Sequence, residues 1–391
     1  MKQSVEAIDS CVVTVIPPVH SGVSLYSVGL LSGLEQVSFK RPLAVIINKS
    51  AHFKTGSEKL KFYPVWTRDP KYLLQVFSTI LKLKPKTAHF QHEFFLYGGM
   101  FSALLFPLLI LLTRLAGIKV IVTIHGVVSR SETNNQFAEA FFVTSNRLIL
   151  KIGLATVTSL ICKISNCIIV HNKYLKDILT RDFRVPSIKI KVIRHGIGIN
   201  PQNNQKHKET LRNVLFFGNI TPSKGIEVLV EAFEHVKVPD AELIISGSPH
   251  PRGREYFAEI QRLIERSPAA SRIRLTGYVE DSEIKQLFEN CGLVVFPYTI
   301  AVSASGGLAF ALSYQKPVIV SNLPTFTEII TDSKNGLVVP SNDVTSLASA
   351  MERLLSDKDL RERIVTQIRN DSSELIWPVI ARKTVECYQN V

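Results

Sequence analysis

Apolar, β-branched runs alternate with amphipathic stretches along the whole chain. In the first half the runs are CVVTVI at 11–16, LAVII at 43–47, AHFQH at 88–92, KVIVTI at 119–124 and CIIV at 167–170, with KIKVIRHG at 189–196 closing the series. The segment NPQNNQKHKET at 200–210 has no hydrophobic period and reads as a linker. A second series follows: VLFF at 214–217, ELIIS at 242–246, RIRLTG at 272–277, LVVF at 293–296, PVIVS at 317–321 and GLVVP at 336–340. Continuous apolar strands, as opposed to alternating ones, are buried on both faces by helices, which predicts parallel sheets in two α/β domains. Ligands of such sheets bind beyond the carboxyl ends of the strands. The residues found there are Gly22, His125 with Gly126, His195 with Gly196, Gly218, Gly247, and Pro297 with Tyr298.

At 391 residues, the length fits two or three domains of about 150 residues each. With 46% hydrophobic and 20% charged residues, disordered and low-complexity classes are excluded. The longest apolar stretch, Met100 to Thr113, ends at Arg114 and falls short of the roughly 18 residues of a spanning helix. The opening residues MKQSVEAIDSCVVTVIPP are interrupted by Glu6 and Asp9 and lack the form of a signal peptide, so a cytoplasmic protein is expected. Five cysteines without CxxC spacing read as structural thiols, and no metal site is expected. The net charge of +13 is unevenly divided, with 25 basic against 10 acidic residues up to position 200 and 21 against 23 beyond it. The first half is therefore expected to face something anionic.

Two segments carry chemistry. In VLFFGNITPSKGIEVLVEAF, 214–233, a buried strand runs into Gly218, and Lys224 and Gly225 open an amphipathic helix. Backbone N–H groups of such a turn and a lysine ammonium converge on an anion. In CGLVVFPYTIAVSASGGLAFALSY, 291–314, Ser303, Ser305, Gly306 and Gly307 precede a helix, and small residues there allow close approach to a phosphate. Two anion sites in one domain suit a diphosphate.

With these segments in place, the chain resembles the retaining glycosyltransferases of family 4, which have the two-domain GT-B fold. The resemblance rests on Gly218 to Gly225, on TGYVEDSEIKQLFENC at 276–291, on PVI at 317–319 with Glu328 and NGLVVP at 335–340, on SGVSLYSVGLL in the first half and on VIVTIHG at 120–126. It implies two Rossmann-like doubly wound domains facing a deep cleft: 1–200 binds the acceptor, 211–370 binds a nucleotide-sugar donor, and a helix at 374–391 crosses back to the first. AHFQHEFFLYGG at 88–99 looks like a subgroup feature. The chain departs from the family pattern at Asn219 and Ile220, which replace an Arg-Leu pair, and at Val302 and Phe310, which replace two glutamates.

The resemblance further implies a hexosyltransferase that retains anomeric configuration, with the nucleotide-sugar as co-substrate and no cofactor or metal. Its donor-binding set falls on Gly22, Gly218, Asn219, Lys224, Gly247, Tyr278, Val279, Ser303, Ser305, Gly306, Gly307, Leu308 and Glu328. His125 and Lys224 are the expected catalytic residues, with His125 bonding the transferred sugar. His92, Glu93 and His195 are expected at the acceptor or sugar, His195 in a positional role. The apolar stretch 100–115, bordered by Arg114, Lys119, Arg147 and Lys151, suits either burial or the surface of an anionic membrane, and hence a saccharide or lipid-linked acceptor in envelope polysaccharide assembly at the inner membrane face. Two alternatives are a synthase using a soluble sugar and a catalytically silent binding or scaffold protein. Nucleic acid is the weakest partner, since no stacking platform or basic recognition helix is visible.

Overall fold

The computed structural model describes residues 8–19, 21–51, 58–131, 139, 147–198 and 212–391. The linker expected at 200–210 and the first seven positions lie outside them, as does the side chain of Arg147. Seven strands make one sheet: β1 (Ser10–Val13), β2 (Leu43–Asn48), β3 (Leu60–Trp66), β4 (Thr87–His92), β5 (Lys119–Ile124), β6 (Cys167–Val170) and β7 (Ile190–Val192). Six more make a second: β8 (Asn213–Phe217), β9 (Glu242–Ser246), β10 (Ile273–Gly277), β11 (Leu293–Phe296), β12 (Val318–Ser321) and β13 (Leu337–Val339). All neighbouring strands pair in parallel. As continuous apolar runs require, β2, β6, β11 and β12 are buried at every residue.

The strand orders are β3-β2-β1-β4-β5-β6-β7 and β10-β9-β8-β11-β12-β13. Each sheet starts in its middle, winds to one edge, and returns to wind the other way. The direction reverses between β1 and β4 and again between β8 and β11, and at such reversals the flanking loops part to leave a crevice. The sequence reading did not mark β3. Its burial is mixed and it carries Pro64, which is tolerated because β3 is an edge strand with a neighbour on one side only.

The helix Trp377–Gln389 returns from the second half and packs on the helix Gly22–Glu35, placing Ile380, Ala381, Cys387 and Tyr388 in the core of the first sheet. The fit depends on missing side chains. A Cβ on Gly29 would stand 2.1 Å from the Trp377 ring, one on Gly196 2.3 Å from it, and one on Gly33 2.4 Å from the Trp377 carbonyl oxygen. All five cysteines are free and buried. Among the described residues no helix is long and apolar enough to cross a membrane, and no group of three or more His, Cys, Asp or Glu is arranged to hold a metal ion.

Gly33→Ala tests this packing. In an unconstrained helix interior the change gains about 1 kcal/mol. Here backbone meets backbone, so a loss of about 1–3 kcal/mol is expected, measured by urea unfolding.

Candidate active site

At the second reversal point β8 ends at Phe217, and the turn through Gly218 leads into a short 3-10 turn, Pro222–Lys224. Gly225 then has φ +64°, and a Cβ there would sit 2.1 Å from the Pro297 carbonyl, so only glycine lets this turn dock against the end of β11. That docking brings Lys224 to the loop after β11. Ser223, Lys224, Tyr298, Ile300, Ala301, Val302, Ser303, Ala304 and Ser305 line a small pocket. Lys224 Nζ lies 3.7 Å from the centre of the Tyr298 ring, a cation–π contact that fixes the ammonium. The Tyr298 hydroxyl is 3.2 Å from Ser305 Oγ, which caps the helix Gly306–Ser313 by accepting from Leu308 N–H. Lysine, aromatic ring, hydroxyl and helix start thus form one connected wall.

Across the cleft stands the loop after β4. Burial pushes the Glu93 carboxyl up to about 7, while the positive charge of Lys224 pulls the other way. The two halves also touch directly. Val127 N–H donates to the Val302 carbonyl at 3.1 Å, and Gly126 bridges Ser303 in antiparallel fashion, so the turn after β5 rests on the edge of the Lys224 pocket.

Beneath that turn lies a layer of histidines, buried at positions 89, 92, 125 and 171 and half-buried at 195. Desolvation drives His89, His92 and His171 to about 3, His195 to about 4, and His125 well below the usual range, so all are neutral near pH 7. His171 Nδ1–H donates to the Ile193 carbonyl at 3.0 Å, which leaves Nε2 to accept from His125 Nδ1–H at 3.1 Å. His125 Nε2 is then an acceptor, 2.7 Å from the Gln91 amide group, whose other end meets His89 Nε2 at 3.3 Å. The network is complete when the Gln91 NH2 points to His125, the two amide orientations being alike in shape. His89 Nδ1 meets the Tyr388 hydroxyl at 2.8 Å. Tyr26 packs edge-on against His125, His195 and Trp377.

The expected site residues fare differently. Lys224, Ser303 and Ser305 converge in the pocket, and Gly306 adjoins it with open space where its Cβ would be. His125 stands at the strand end as expected, but both ring nitrogens are bonded inside the protein. The direct sugar contact expected of it is thus not what this arrangement offers, and its turn reaches the cleft through backbone instead. His195 donates to the Gly196 carbonyl at 2.7 Å and packs on Trp377, in keeping with a positional role. His92 stacks on Phe106, and its Nδ1 is buried with no partner among the described residues.

The remaining expected residues lie outside the pocket lining. Gly247 serves packing, since a Cβ would lie 1.7 Å from the Gly218 carbonyl, and Gly307 packs on Phe217 and Phe296 in the same way. The Leu308 side chain is in the core. Asn219 is exposed. Tyr278 and Val279 follow the edge strand β10, away from the pocket lining. Glu328 spans the halves instead of lining the pocket: its carboxylate accepts from Lys173 N–H at 2.7 Å and Tyr174 N–H at 2.6 Å, at the start of the helix Lys173–Phe183. Gly22 opens its helix behind the cap Ser21 with nothing near it. Phe310 sits in an aromatic cluster with Phe217 and Phe288, and Val302 contributes its carbonyl. Missed altogether were Gln91, His171 and Tyr26. His171 follows β6 as His125 follows β5, so the same strand-end signal could have found it.

Comparison with known proteins agrees with this layout. The family model for glycosyl transferases group 1 matches residues 200–371, and that for glycosyltransferase family 4 matches 42–200. An uncharacterized glycosyltransferase of Methanocaldococcus jannaschii is 29% identical over 57% of this chain and 59% of its own. A phosphatidyl-myo-inositol mannosyltransferase of Mycobacterium leprae is 30% identical over 46% of this chain and 47% of its own. The chain spans about half the length of the curated relatives it matches. Among solved structures, the sucrose-phosphate synthase of Thermosynechococcus elongatus superposes with a TM-score of 0.76 at 16% identity, covering 98% of both chains. The Anabaena protein HepE, solved with UDP and glucose, gives 0.73 at 15% identity over 98% of this chain and 100% of its own. The fold is the two-domain GT-B α/β architecture.

Glu93 makes a checkable contribution to stability. Its folded value near 7 stands above the unfolded 4.5, so its contribution is full below about 4.5 and is lost as pH rises through 7. Glu93→Gln should therefore be neutral near pH 4 and gain about 1–3 kcal/mol at pH 8.5 in urea unfolding, less any screening by solvent in the cleft.

Proposed function

The chain belongs to the glycosyl transferases of group 1, and from that premise we propose that it moves a hexose from a nucleotide-sugar to a saccharide or lipid-linked acceptor with retention of anomeric configuration. The observation that carries the donor assignment is the pocket at the β8/β11 reversal point, where Lys224 and Ser303 to Ser305 converge. In the HepE structure the same fold holds UDP and glucose, which supports a nucleoside diphosphate here. As the glycosidic bond to phosphate breaks, negative charge grows on the diphosphate. Lys224, held by Tyr298, and the helix start behind Ser305 are preorganised to meet that charge, a task they perform without a metal.

Glu93 faces the same space from the first half. As a carboxylate it accepts a hydroxyl of the transferred sugar; when protonated it relieves repulsion from the diphosphate. His125 acts as a positioning residue, holding the Gly126–Val127 turn against Val302 and Ser303. The acceptor lies on the first half, which carries the basic excess, and assembly of an envelope polysaccharide at the inner face of the membrane is the setting this suits. A silent nucleotide-binding or scaffold protein is the second reading, favoured by Phe310, whose aromatic packing leaves no polar group where the family carries a glutamate.

Thermal shift and calorimetry with UDP, GDP, ADP and their sugar conjugates separate the two. One nucleotide should stabilise the protein, and Lys224→Ala should weaken its binding roughly tenfold or more, the loss of one charge-assisted bond. Nucleotide binding without hydrolysis or transfer under any acceptor would leave the scaffold. No response to any nucleotide would overturn the donor assignment itself.

A further inference from the structure

The helix Met100–Leu115 is apolar all round. Phe106, Leu109, Ile110 and Thr113 are buried against the first sheet, whereas Met100, Phe101, Leu104, Leu108, Leu111 and Leu115 face outward. The outward set recurs every three or four residues and forms one stripe, with Phe101 64% and Leu115 74% exposed. A helix with this composition is ordinarily covered on every side.

The stripe does not stand alone. The helix Arg147–Ile164 packs beside it, Arg114 donates to the Ile164 carbonyl, and Ile152 and Leu160 are exposed along its own outer face. Cations border both helices: Arg114, Lys119, Lys151 and Lys163 are all exposed. Acidic residues are scarce in the sequence here, Glu132 and Glu139 being the two between positions 94 and 176.

We propose that this two-helix face docks the protein on the surface of an anionic lipid bilayer. An apolar band bordered by Arg114, Lys119, Lys151 and Lys163 matches the boundary between acyl chains and anionic headgroups. A second copy of the chain is the poorer occupant, because a two-fold interface would set the same cations against themselves. Helices that follow parallel strands run back from the carboxyl ends, so the Met100 end of the stripe lies on the cleft side, just after the loop that carries Glu93. Docking there holds the mouth of the cleft near the headgroups. This deepens the reading of a lipid-linked acceptor and rests on it for its purpose, although vesicle binding itself does not require the reaction.

The test is flotation of the full chain with vesicles of phosphatidylcholine alone or mixed with phosphatidylglycerol, at low and high salt. Binding is expected to the mixed vesicles and to weaken with salt. In Phe101→Ser/Leu104→Ser/Leu108→Ser it should fall roughly tenfold or more, and in Lys151→Glu/Lys163→Glu the salt-dependent part should shrink. Circular dichroism checks that the variants fold. If the triple variant does not, Phe101→Trp reads the same contact, its added fluorescence being quenched by brominated lipid. Absence of wild-type binding, equal flotation of the triple variant, no quenching in Phe101→Trp beyond that of the wild type, or a wild-type dimer that the triple variant dissolves would overturn the proposal. Nucleotide stabilisation, measured without vesicles, fails or survives separately.

Discussion

The relative position of the two halves depends on one close contact, Trp377, whose indole is seated where Gly29 and Gly196 leave no side chains and whose backbone carbonyl rests on Gly33. The chain crosses between the halves twice, and the crossings run side by side: Ile197 N–H donates to the Leu375 carbonyl at 2.9 Å and Trp377 N–H to the Ile197 carbonyl at 3.3 Å. Two paired crossings anchored by a buried indole restrict the ways in which the sheets can move. Tyr26, wedged between Trp377 and the rings of His125, His171 and His195, carries the same constraint to the turn at Gly126. Distance between Glu93 and Lys224 is thus set by packing far from either.

Electrostatics in the cleft follows from that closure. Within the first half burial removes charge, leaving neutral histidines whose hydrogen bonds run in one direction from Tyr388 toward the Ile193 carbonyl. Neutral rings can be stacked this densely because no ring pays for desolvating a charge. In the second half the pocket keeps one positive charge, at Lys224, beside the N-terminus of the helix that Ser305 caps. A cleft built in this way has a positive wall, a wall of polar but uncharged groups, and Glu93 between them as the group whose charge changes near neutral pH.

Much of the architecture was legible in the sequence because a strand buried on both faces must be apolar throughout, as β2, β6, β11 and β12 are. The edge strand β3 escaped because one open side relaxes that demand. In the site, Lys224 and the serines of 303–305 were legible since glycine turns and small residues before helices have local causes. Glu328 was not, because its partners lie in the helix at Lys173, far away in sequence. Nor were the roles of Gly29 and Gly33 apparent. In the sequence Gly29 is one position of SGVSLYSVGLL and Gly33 lies just beyond it, and only the arrival of Trp377 explains why no larger residue is allowed.

The uneven charge then takes a particular meaning. A diphosphate pocket would be the obvious use for a net excess of cations, yet the half that holds Lys224 has 21 basic against 23 acidic residues beyond position 200. One half-buried lysine fixed on an aromatic ring interacts more strongly with an anion than several mobile ones at a wet surface. The excess instead falls on the half with the outward apolar stripe, where charges act together over a broad area and need no fixed geometry. On the proposed function, the two halves would meet two anion problems of different shape, a small diphosphate and an extended surface, by different means: one fixed lysine in the second half and a broad basic excess in the first.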